Sequence, residues 1–280
     1  MHVPKPKRSE QTLAATAASW LAVYVATARS AKNVSIAAQR IEDFLTPAMG
    51  DRALGSLGPD DVRRYRLALE RRGLKPLTVR HVLADLRCQL GWCVETGLLE
   101  RSPFPRRVMP RIQERPPDRL NEGEVRVLLR IPEPQAFVIR LGLSTGLRWA
   151  ELCRARADHV EGGMLTVSQT KSGRIRRVPL PGPLAGELDD HIGRLVPYAA
   201  CSPGSFARFV RRHSTIPRFH VHQLRHTFAC RWLERGGSLT ALQQILGHAS
   251  VVTTQRYARL SDEYVRLEAE HVIGATASGW

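Results

Sequence analysis

The sequence predicts a mostly helical protein with a small antiparallel β-sheet, that is, an α+β fold. Long stretches repeat apolar residues at i, i+3 and i+4, the spacing of amphipathic helices. One stretch, 163–180, instead alternates apolar and polar residues on both sides of the turn sequence KSG, as a β-hairpin does. With 280 residues and 43% apolar content, the chain can form the cores of two modest domains.

The first domain, residues 1–104, has the pattern of a four-helix bundle. Its helices are predicted at 12–28, 35–45, 57–73 and 77–97. Pro59, followed by two acidic residues, opens the third helix, and Gly73 ends it. Thr78 is a candidate N-cap for the fourth helix, which Gly97 ends.

Residues 105–118 are predicted to form a basic, Pro-rich linker between two domains. The surrounding stretch 102–120 contains five prolines and five arginines and hardly an apolar pair. Because arginines attract phosphate, we expect the linker to lie along phosphate groups of a partner.

The second domain, residues 119–280, combines helices with the hairpin at 163–180. Asn121 is predicted to cap its first helix, because a glutamate follows three positions later. Further helical segments are predicted within 135–156, 203–213, 221–236, 238–247, 251–260 and 262–274. The last of these is a C-terminal tail helix.

The charge of the chain points to a polyanionic partner. There are 42 Lys and Arg against 26 Asp and Glu, a formal net charge of +16 at pH 7. The excess is spread along the chain, with 20 basic and 11 acidic residues in 1–116, so nucleic acid is the expected partner.

Five scattered cysteines without a CxxC pair indicate neither a disulfide framework nor a zinc site. Without an apolar signal-peptide core or a run of about 18 apolar residues, a soluble intracellular protein is expected, with no membrane partner.

A set of side chains suited to phosphate chemistry lies in the second domain. The candidates are Arg148, Lys171, His222, Arg225, His248 and Tyr257, with Glu151 as a supporting acid. Singly, each also fits an ordinary role, such as a surface ion pair, a turn lysine or a core tyrosine. Together, two arginines can bracket the oxygens of one phosphate, and a phenol can attack it once a base accepts the phenolic proton. The set predicts a metal-free phosphoryl-transfer site.

Five motifs in order resemble those of the tyrosine recombinase or phage integrase family. They are TGLRWAEL, the lysine-bearing TKSGRIRRVPL, HQLRHTFA, LGHAS and TTQRYARL. The first domain is similar to the helical, SAM-like core-binding domain of that family, so the resemblance covers nearly the whole chain. It implies a catalytic domain at 119–280 and a clamp of both domains around a DNA duplex.

The resemblance also implies a role for each candidate residue toward the scissile phosphate. Arg148 and Arg225 would clamp the phosphate, His248 would donate a hydrogen bond to it, and Glu151 would support Arg148. In this interpretation no cofactor and no metal take part.

The remaining candidates would move protons and form the covalent bond. Tyr257 would be the nucleophile that forms a 3′-phosphotyrosyl link, without ATP. His222 would assist proton transfer from the tyrosine, and Lys171 would be the general acid toward the 5′ oxygen. Gln223 stands where many relatives have an acid, which removes one orienting bond.

The implied partners are double-stranded DNA with core-type attachment sites and three further copies of the chain, as a homotetramer on synapsed DNA. The segment after Leu260 resembles a tail that packs on a neighbouring subunit. On this resemblance we expect no arm-binding domain ahead of the bundle, and whether a directionality factor takes part is left open. The expected location is cytoplasmic and nucleoid-associated, in a prokaryotic cell or phage-infected host. The expected role is that of a phage or mobile-element integrase.

Three other functions compete with this prediction. A non-catalytic regulator would use 238–257 as a helix-turn-helix, which explains the charge but not Arg148, Lys171 and His222. A metal-dependent nuclease would require a carboxylate cluster that the sequence lacks. A relaxing topoisomerase would share the tyrosine chemistry but not strand exchange between two sites.

Overall fold

The structure is a computed structural model that describes residues 11–27, 31–168, 175–188, 191–198, 203–258, 265–266 and 269–270. The chain divides into two compact units, Met1–Glu114 and Arg115–Trp280, and the predicted linker 105–118 spans this division. In the described part of the chain, no helix is both long enough and apolar enough to cross a bilayer.

The regular secondary structure of the first unit is helical, and its described residues 96–114 form turns and irregular chain. Its α-helices are α1 (Leu13–Thr27), α2 (Ala31–Arg40), α3 (Thr46–Met49), α4 (Pro59–Arg71) and α5 (Pro76–Glu95). A π-helical turn, Ile41–Leu45, joins α2 to α3, and a 3₁₀ turn, Leu54–Ser56, precedes α4.

Local sequence explains where α4 begins and ends. Pro59 occupies its first position, where a missing N–H costs nothing. The Asp61 carboxylate accepts a hydrogen bond of 2.8 Å from the Gly58 N–H, which closes the first turn. Gly73, with φ of 74°, ends the helix in the left-handed conformation that glycine adopts without strain.

The core of the first unit is apolar with one polar tie. Leu13, Leu83 and Leu90 are fully buried among the helices. The buried amide of Gln89 donates to Leu13 O at 2.8 Å and to Thr16 Oγ1 at 2.9 Å, which links α5 to α1. Both amide hydrogens are therefore satisfied without water.

The second unit combines helices with a three-stranded antiparallel sheet. The helices are α6 (Glu122–Leu128), α7 (Gln135–Thr145), α8 (Trp149–Leu152), α9 (Gly182–Gly186), α10 (Pro203–His213), α11 (His222–Glu234), α12 (Leu239–Leu246) and α13 (Val251–Ala258). The strands are β1 (Val160–Glu161), β2 (Met164–Val167) and β3 (Arg176–Pro179), in the order β1-β2-β3. Helix α12 packs against β3. In the β2–β3 pair, Leu165 lies opposite Val178, and both side chains are buried.

Helix ends in the second unit are set by polar caps. Asn121 Oδ1 accepts from the Glu124 N–H at 2.8 Å, and the Glu124 carboxylate accepts from the Asn121 N–H at 2.9 Å. Ser238 caps α12 by accepting from the Ala241 N–H at 3.1 Å. In addition, α11 packs on α7 within the core. This packing fixes the positions of the loops that leave these two helices.

The sequence prediction of the fold is confirmed: the described residues are mostly helical with a small antiparallel sheet. The predicted helix start at Pro59 and the predicted cap at Asn121 are also confirmed. The prediction that Thr78 caps α5 is wrong, because the helix already starts at Pro76, whose ring favours the first helical position. The short elements β1, α3 and α9 were not predicted. The predicted tail helix lies almost entirely outside the described residues.

Candidate active site

Arg148 stands at the N-terminal end of α8 and is oriented by Glu151 one turn later. Its Nη1 lies 3.0 Å from Glu151 Oε1, and its backbone N–H donates to Glu151 Oε2 at 2.8 Å. Its Nη2 lies 3.4 Å from the carbonyl oxygen of Gly247. The carboxylate therefore fixes both the main chain and the side chain of Arg148.

Arg225, on α11, is buried, with 2% of its surface exposed. Its guanidinium donates to Gly146 O and Leu246 O, both at 2.8 Å, and its Nη2 lies 2.8 Å from His248 Nε2. Burial, and then the nearby charge of Arg148, lower the pKa of Arg225 to about 10. The group thus remains charged at neutral pH.

A third arginine, Arg176 at the start of β3, joins the cluster and was missed by sequence reasoning. It bonds both oxygens of Glu151, at 2.8 and 3.1 Å, and its Nε donates to Ile245 O at 2.6 Å. Arg176 lies two residues before the buried Val178 on β3, with the exposed Arg177 between them. Because residues two apart in a strand share one face, this spacing could have placed Arg176 on the face of Val178, but it does not show that Glu151 lies against it.

The N–H groups of the three arginines point at three consecutive carbonyl oxygens at the C-terminal end of α12. Arg176 bonds that of Ile245, Arg225 that of Leu246, and Arg148 approaches that of Gly247. The last carbonyls of a helix lack partners within it and carry the negative end of its dipole. The end of α12 thus orients three guanidinium groups without neutralising them.

Within the described residues of this cluster, Glu151 is the carboxylate that balances the three arginines. Burial raises its pKa, but the hydrogen bonds from Arg176 and from the Arg148 backbone outweigh this and hold the pKa below its usual value. Glu151 is therefore ionised, and the cluster keeps an excess of positive charge. An anion such as a phosphodiester would complete it.

His248 lies between the arginines and Tyr257. Its Nδ1 is 2.8 Å from Thr254 Oγ1, and its ring is parallel to that of Tyr257 with centroids 6.4 Å apart. Burial, and then Arg225, lower its pKa to about 4. The imidazole is therefore neutral at pH 7, with Nε2 accepting from Arg225.

Tyr257, on α13, is 5% exposed and directs its hydroxyl at a histidine of α11. Its Oη lies 2.9 Å from Nδ1 of His226, a residue that sequence reasoning did not select. Burial raises the pKa of Tyr257, although the charge of Arg225 opposes this. His222, one turn earlier on α11, meets His226 edge-on with ring centroids 4.5 Å apart.

His222 is exposed and lies beside the half-buried His226 and the buried Tyr257. Partial desolvation of its ring by neighbouring protein atoms, and then the charge of Arg225, lower the pKa of His222 to about 4. It is therefore neutral at pH 7 and accessible to a ligand.

The structure brings together most of the residues that the sequence selected. Those in the cluster are Arg148, Glu151, His222, Arg225, His248 and Tyr257. The predicted general acid, Lys171, lies outside the described residues, between β2 and β3 in the sequence. A buried phenol, neutral imidazoles and excess guanidinium charge form a site suited to nucleophilic attack on a phosphodiester.

Comparisons with known proteins agree with this chemistry. The model of the phage integrase family matches residues 202–264, which contain His222, Arg225, His248 and Tyr257. The tyrosine recombinase XerA of Pyrococcus furiosus is 31% identical over 231 residues, which cover 75% of this chain and 79% of XerA. The integrase of Escherichia phage P2 is 31% identical over 218 residues, covering 73% of this chain and 62% of that protein.

A solved structure extends the likeness to the fold. The lambda integrase tetramer bound to a Holliday junction matches with a TM-score of 0.73 and 18% identity, over 94% of this chain and 82% of that one. At this identity the match shows the fold alone. The relatives, XerA above all, show that the chain belongs to the tyrosine recombinases of the phage integrase family. It is a DNA strand-transferring enzyme, a site-specific recombinase.

Proposed function

We propose that this recombinase is a phage or mobile-element integrase that cuts and rejoins double-stranded DNA through a 3′-phosphotyrosyl intermediate. One observation carries the proposal: a cluster of three arginines with excess positive charge adjoins the buried hydroxyl of Tyr257. Such a cluster can hold a phosphodiester and stabilise the charge that develops on it during attack, as a metal does elsewhere.

In the proposed reaction, the Tyr257 oxygen attacks the scissile phosphorus and the bond from phosphorus to the 5′ oxygen breaks. Arg148 and Arg225 clamp the non-bridging oxygens, and Glu151 keeps Arg148 oriented. When the phosphate binds, the proton of the neutral His248 ring moves to Nε2, which accepts from Arg225 in the free protein, and His248 then donates a hydrogen bond to the phosphate. The energy of the broken bond is kept in the phosphotyrosyl link, so joining to the partner strand needs no ATP.

Proton transfers accompany both bond changes. We assign the general acid toward the 5′ oxygen to Lys171, on the resemblance to the family. We assign to His222 an assisting role in proton transfer at the tyrosine, supported by its exposed position beside the His226–Tyr257 pair.

The proposed partners are core-type attachment sites on DNA and further copies of the chain. Exchange between two duplexes requires four active sites, and lambda integrase, which shares the fold, has been solved as a tetramer on a Holliday junction. We further propose a helical domain at 1–104, a linker at 105–118 that follows one strand, and a catalytic domain at 119–280. Action on DNA in a prokaryotic cell or phage-infected host follows from this role.

The test is covalent capture on a nicked suicide DNA substrate that carries the candidate site, without magnesium. We expect a covalent protein–DNA band on denaturing gels for the wild type and its loss in Tyr257→Phe, while DNA binding persists. Tyr65→Phe removes another buried hydroxyl, in the first unit, and should leave the band intact. Tight binding to a verified site with no adduct from the wild type would instead identify a non-catalytic DNA-binding regulator.

A further inference from the structure

The hydroxyl of Tyr257 already has a hydrogen-bond partner that the proposed mechanism does not use. His226 Nδ1 lies 2.9 Å from it, within the range over which a proton passes directly between two heavy atoms. His226 follows Arg225 on α11, so the helix that supplies the buried arginine also sets the position of this imidazole.

We propose that His226 is a catalytic residue that accepts the phenolic proton of Tyr257 as the tyrosine oxygen attacks phosphorus. This inference rests on the proposed function, because it assigns a proton acceptor for that reaction. His222, to which the family resemblance gives an assisting role in proton transfer, contacts the ring of His226. In the described structure it is joined to the Tyr257 hydroxyl only through that ring.

The electrostatic surroundings keep His226 in the form that can accept a proton. Burial lowers its pKa to about 4, with further contributions from His222, His220, Arg256 and Arg225. The neutral ring with its proton on Nε2 presents a free lone pair at Nδ1. Tyr257 faces it from α13 as a neutral phenol.

Tyr257 itself requires a partner of this kind. Burial raises its pKa, so the phenolate is scarce at neutral pH and a base within hydrogen-bond reach must remove the proton. A bound phosphodiester brings negative charge to the cluster. That negative charge raises the pKa of His226 in the DNA-bound protein, so the imidazole accepts the proton more readily when Tyr257 attacks.

The step balances as a simple exchange of bonds. The O–H bond of Tyr257 breaks and its proton goes to Nδ1 of His226, while the tyrosine oxygen forms a bond to phosphorus. The bond from phosphorus to the 5′ oxygen breaks, and that oxygen takes a proton from the general acid, for which Lys171 is proposed. Joining reverses the sequence, and His226 returns its proton to the departing tyrosine oxygen.

Two substitutions separate proton acceptance from simple positioning. His226→Ala removes the acceptor, whereas His226→Asn keeps a side-chain oxygen near the position of Nδ1 that accepts a hydrogen bond but not a proton. Single-turnover adduct formation on the nicked substrate is measured for both across about pH 6.5 to 9.5, with DNA saturating. His213→Ala, at an exposed histidine of α10, is the matched control.

We expect both His226 variants to form adduct at least about 100-fold more slowly than the wild type near pH 7. Their rates should rise with pH, about tenfold per unit, as hydroxide replaces the missing base, whereas the wild type and His213→Ala change little. DNA binding should stay within about threefold of wild type for all variants.

The outcomes are distinguishable from a failure of the proposed function. If the wild type forms no adduct, the proposed function itself fails. If the wild type reacts and His226→Asn matches it at every pH, then His226 only orients the hydroxyl and the inference is overturned. A slow His226→Asn whose rate does not recover with pH would overturn it as well.

Discussion

The partners of Arg225 explain how a buried cation stays available to a substrate. Three hydrogen bonds of 2.8 Å join it to two carbonyl oxygens and one neutral imidazole. A carboxylate partner would cancel its charge, whereas these groups orient the guanidinium and satisfy its N–H donors. The cost of burying the charge is offset only in part, and a bound phosphate offsets the rest.

Replacing Arg225 with lysine should therefore strongly slow adduct formation, although both side chains are positively charged. A lysine keeps the charge but lacks the planar fork that reaches Gly146 O and Leu246 O together. We expect adduct formation to fall by about 100- to 1000-fold, measured in single turnover. Arg211→Lys, at an arginine that donates to Phe219 O, is the control, and equal rates in the two variants would contradict the argument.

Glu151 should make a pH-dependent contribution to stability. Its pKa in the folded protein lies below the ordinary 4.5, so this contribution is present above pH 4.5 and is lost as pH falls further. Glu151→Gln leaves Arg148 and Arg176 without their countercharge and should cost about 3 kcal/mol at pH 7. Measured by urea unfolding, the gap between variant and wild type should narrow toward pH 3.5. A constant gap would show that Glu151 acts by shape alone.

Sequence reasoning could predict those residues of the site that have few alternative roles. Arg148 beside a Thr-Gly turn and Tyr257 at the end of a run of histidines and arginines are of this kind. Arg176 and His226 could not be assigned, because their importance lies in distances to Glu151 and Tyr257 across the fold. Spacing along one helix says which face His226 occupies, but not what faces it.

At the scale of elements, the end of α12 organises the site. Three consecutive carbonyls accept from arginines that come from three separate parts of the chain: β3, α11 and the turn before α8. Gly247 makes this possible, because its φ of 64° reverses the chain and a Cβ there would lie 3.0 Å from the Arg176 side chain. A short helix thus positions groups that are distant in sequence.

Gly146, at the end of α7, should be equally intolerant of a side chain. Its φ is 62°, and a Cβ would lie 2.4 Å from the ring of Phe228 and 2.9 Å from Leu246. Gly146→Ala should cost more than about 3 kcal/mol of stability, and it should slow adduct formation because the carbonyl that orients Arg225 shifts. Thermal unfolding and single-turnover assays measure the two effects.

Gly236 provides the matched control for that substitution. It has a φ of 75°, but no atom lies within 4 Å of the Cβ that alanine would add. Gly236→Ala should therefore cost only the backbone strain, about 1 kcal/mol, and should leave the adduct rate unchanged. If both variants lose the same stability, crowding at Gly146 is not important.

The elements that the sequence predicted correctly are those with both periodicity and punctuation. The helices α4 and α6 begin where Pro59 and Asn121 indicate, because each residue satisfies the backbone at that point. The strand β1 and the helix α9 have only two and five residues, too few for a periodic pattern. They form because the chain packs against its neighbours, a tertiary effect that a short window of sequence does not contain.

At the scale of the whole molecule, the net charge of +16 and the arginine cluster act at different ranges. Exposed charges attract DNA over about 10 Å at 0.1 M salt and are screened beyond that distance. The buried charges of the cluster are screened less and act on one phosphate. We therefore expect salt to weaken binding strongly while it changes the rate of adduct formation by bound protein much less.

The arginines of the linker allow this separation to be tested. Arg106 and Arg107 are exposed, and if the linker follows a DNA strand, each neutralises about one phosphate. Arg106→Gln with Arg107→Gln should reduce the slope of log affinity against log salt by about two, measured by fluorescence anisotropy. Arg231→Gln, at an arginine paired with Glu122 at 2.6 Å, should reduce it less. An unchanged slope in the double variant would show that the linker does not contact DNA phosphates. An unchanged adduct rate at saturating DNA would show that the linker contributes to binding and not to the reaction.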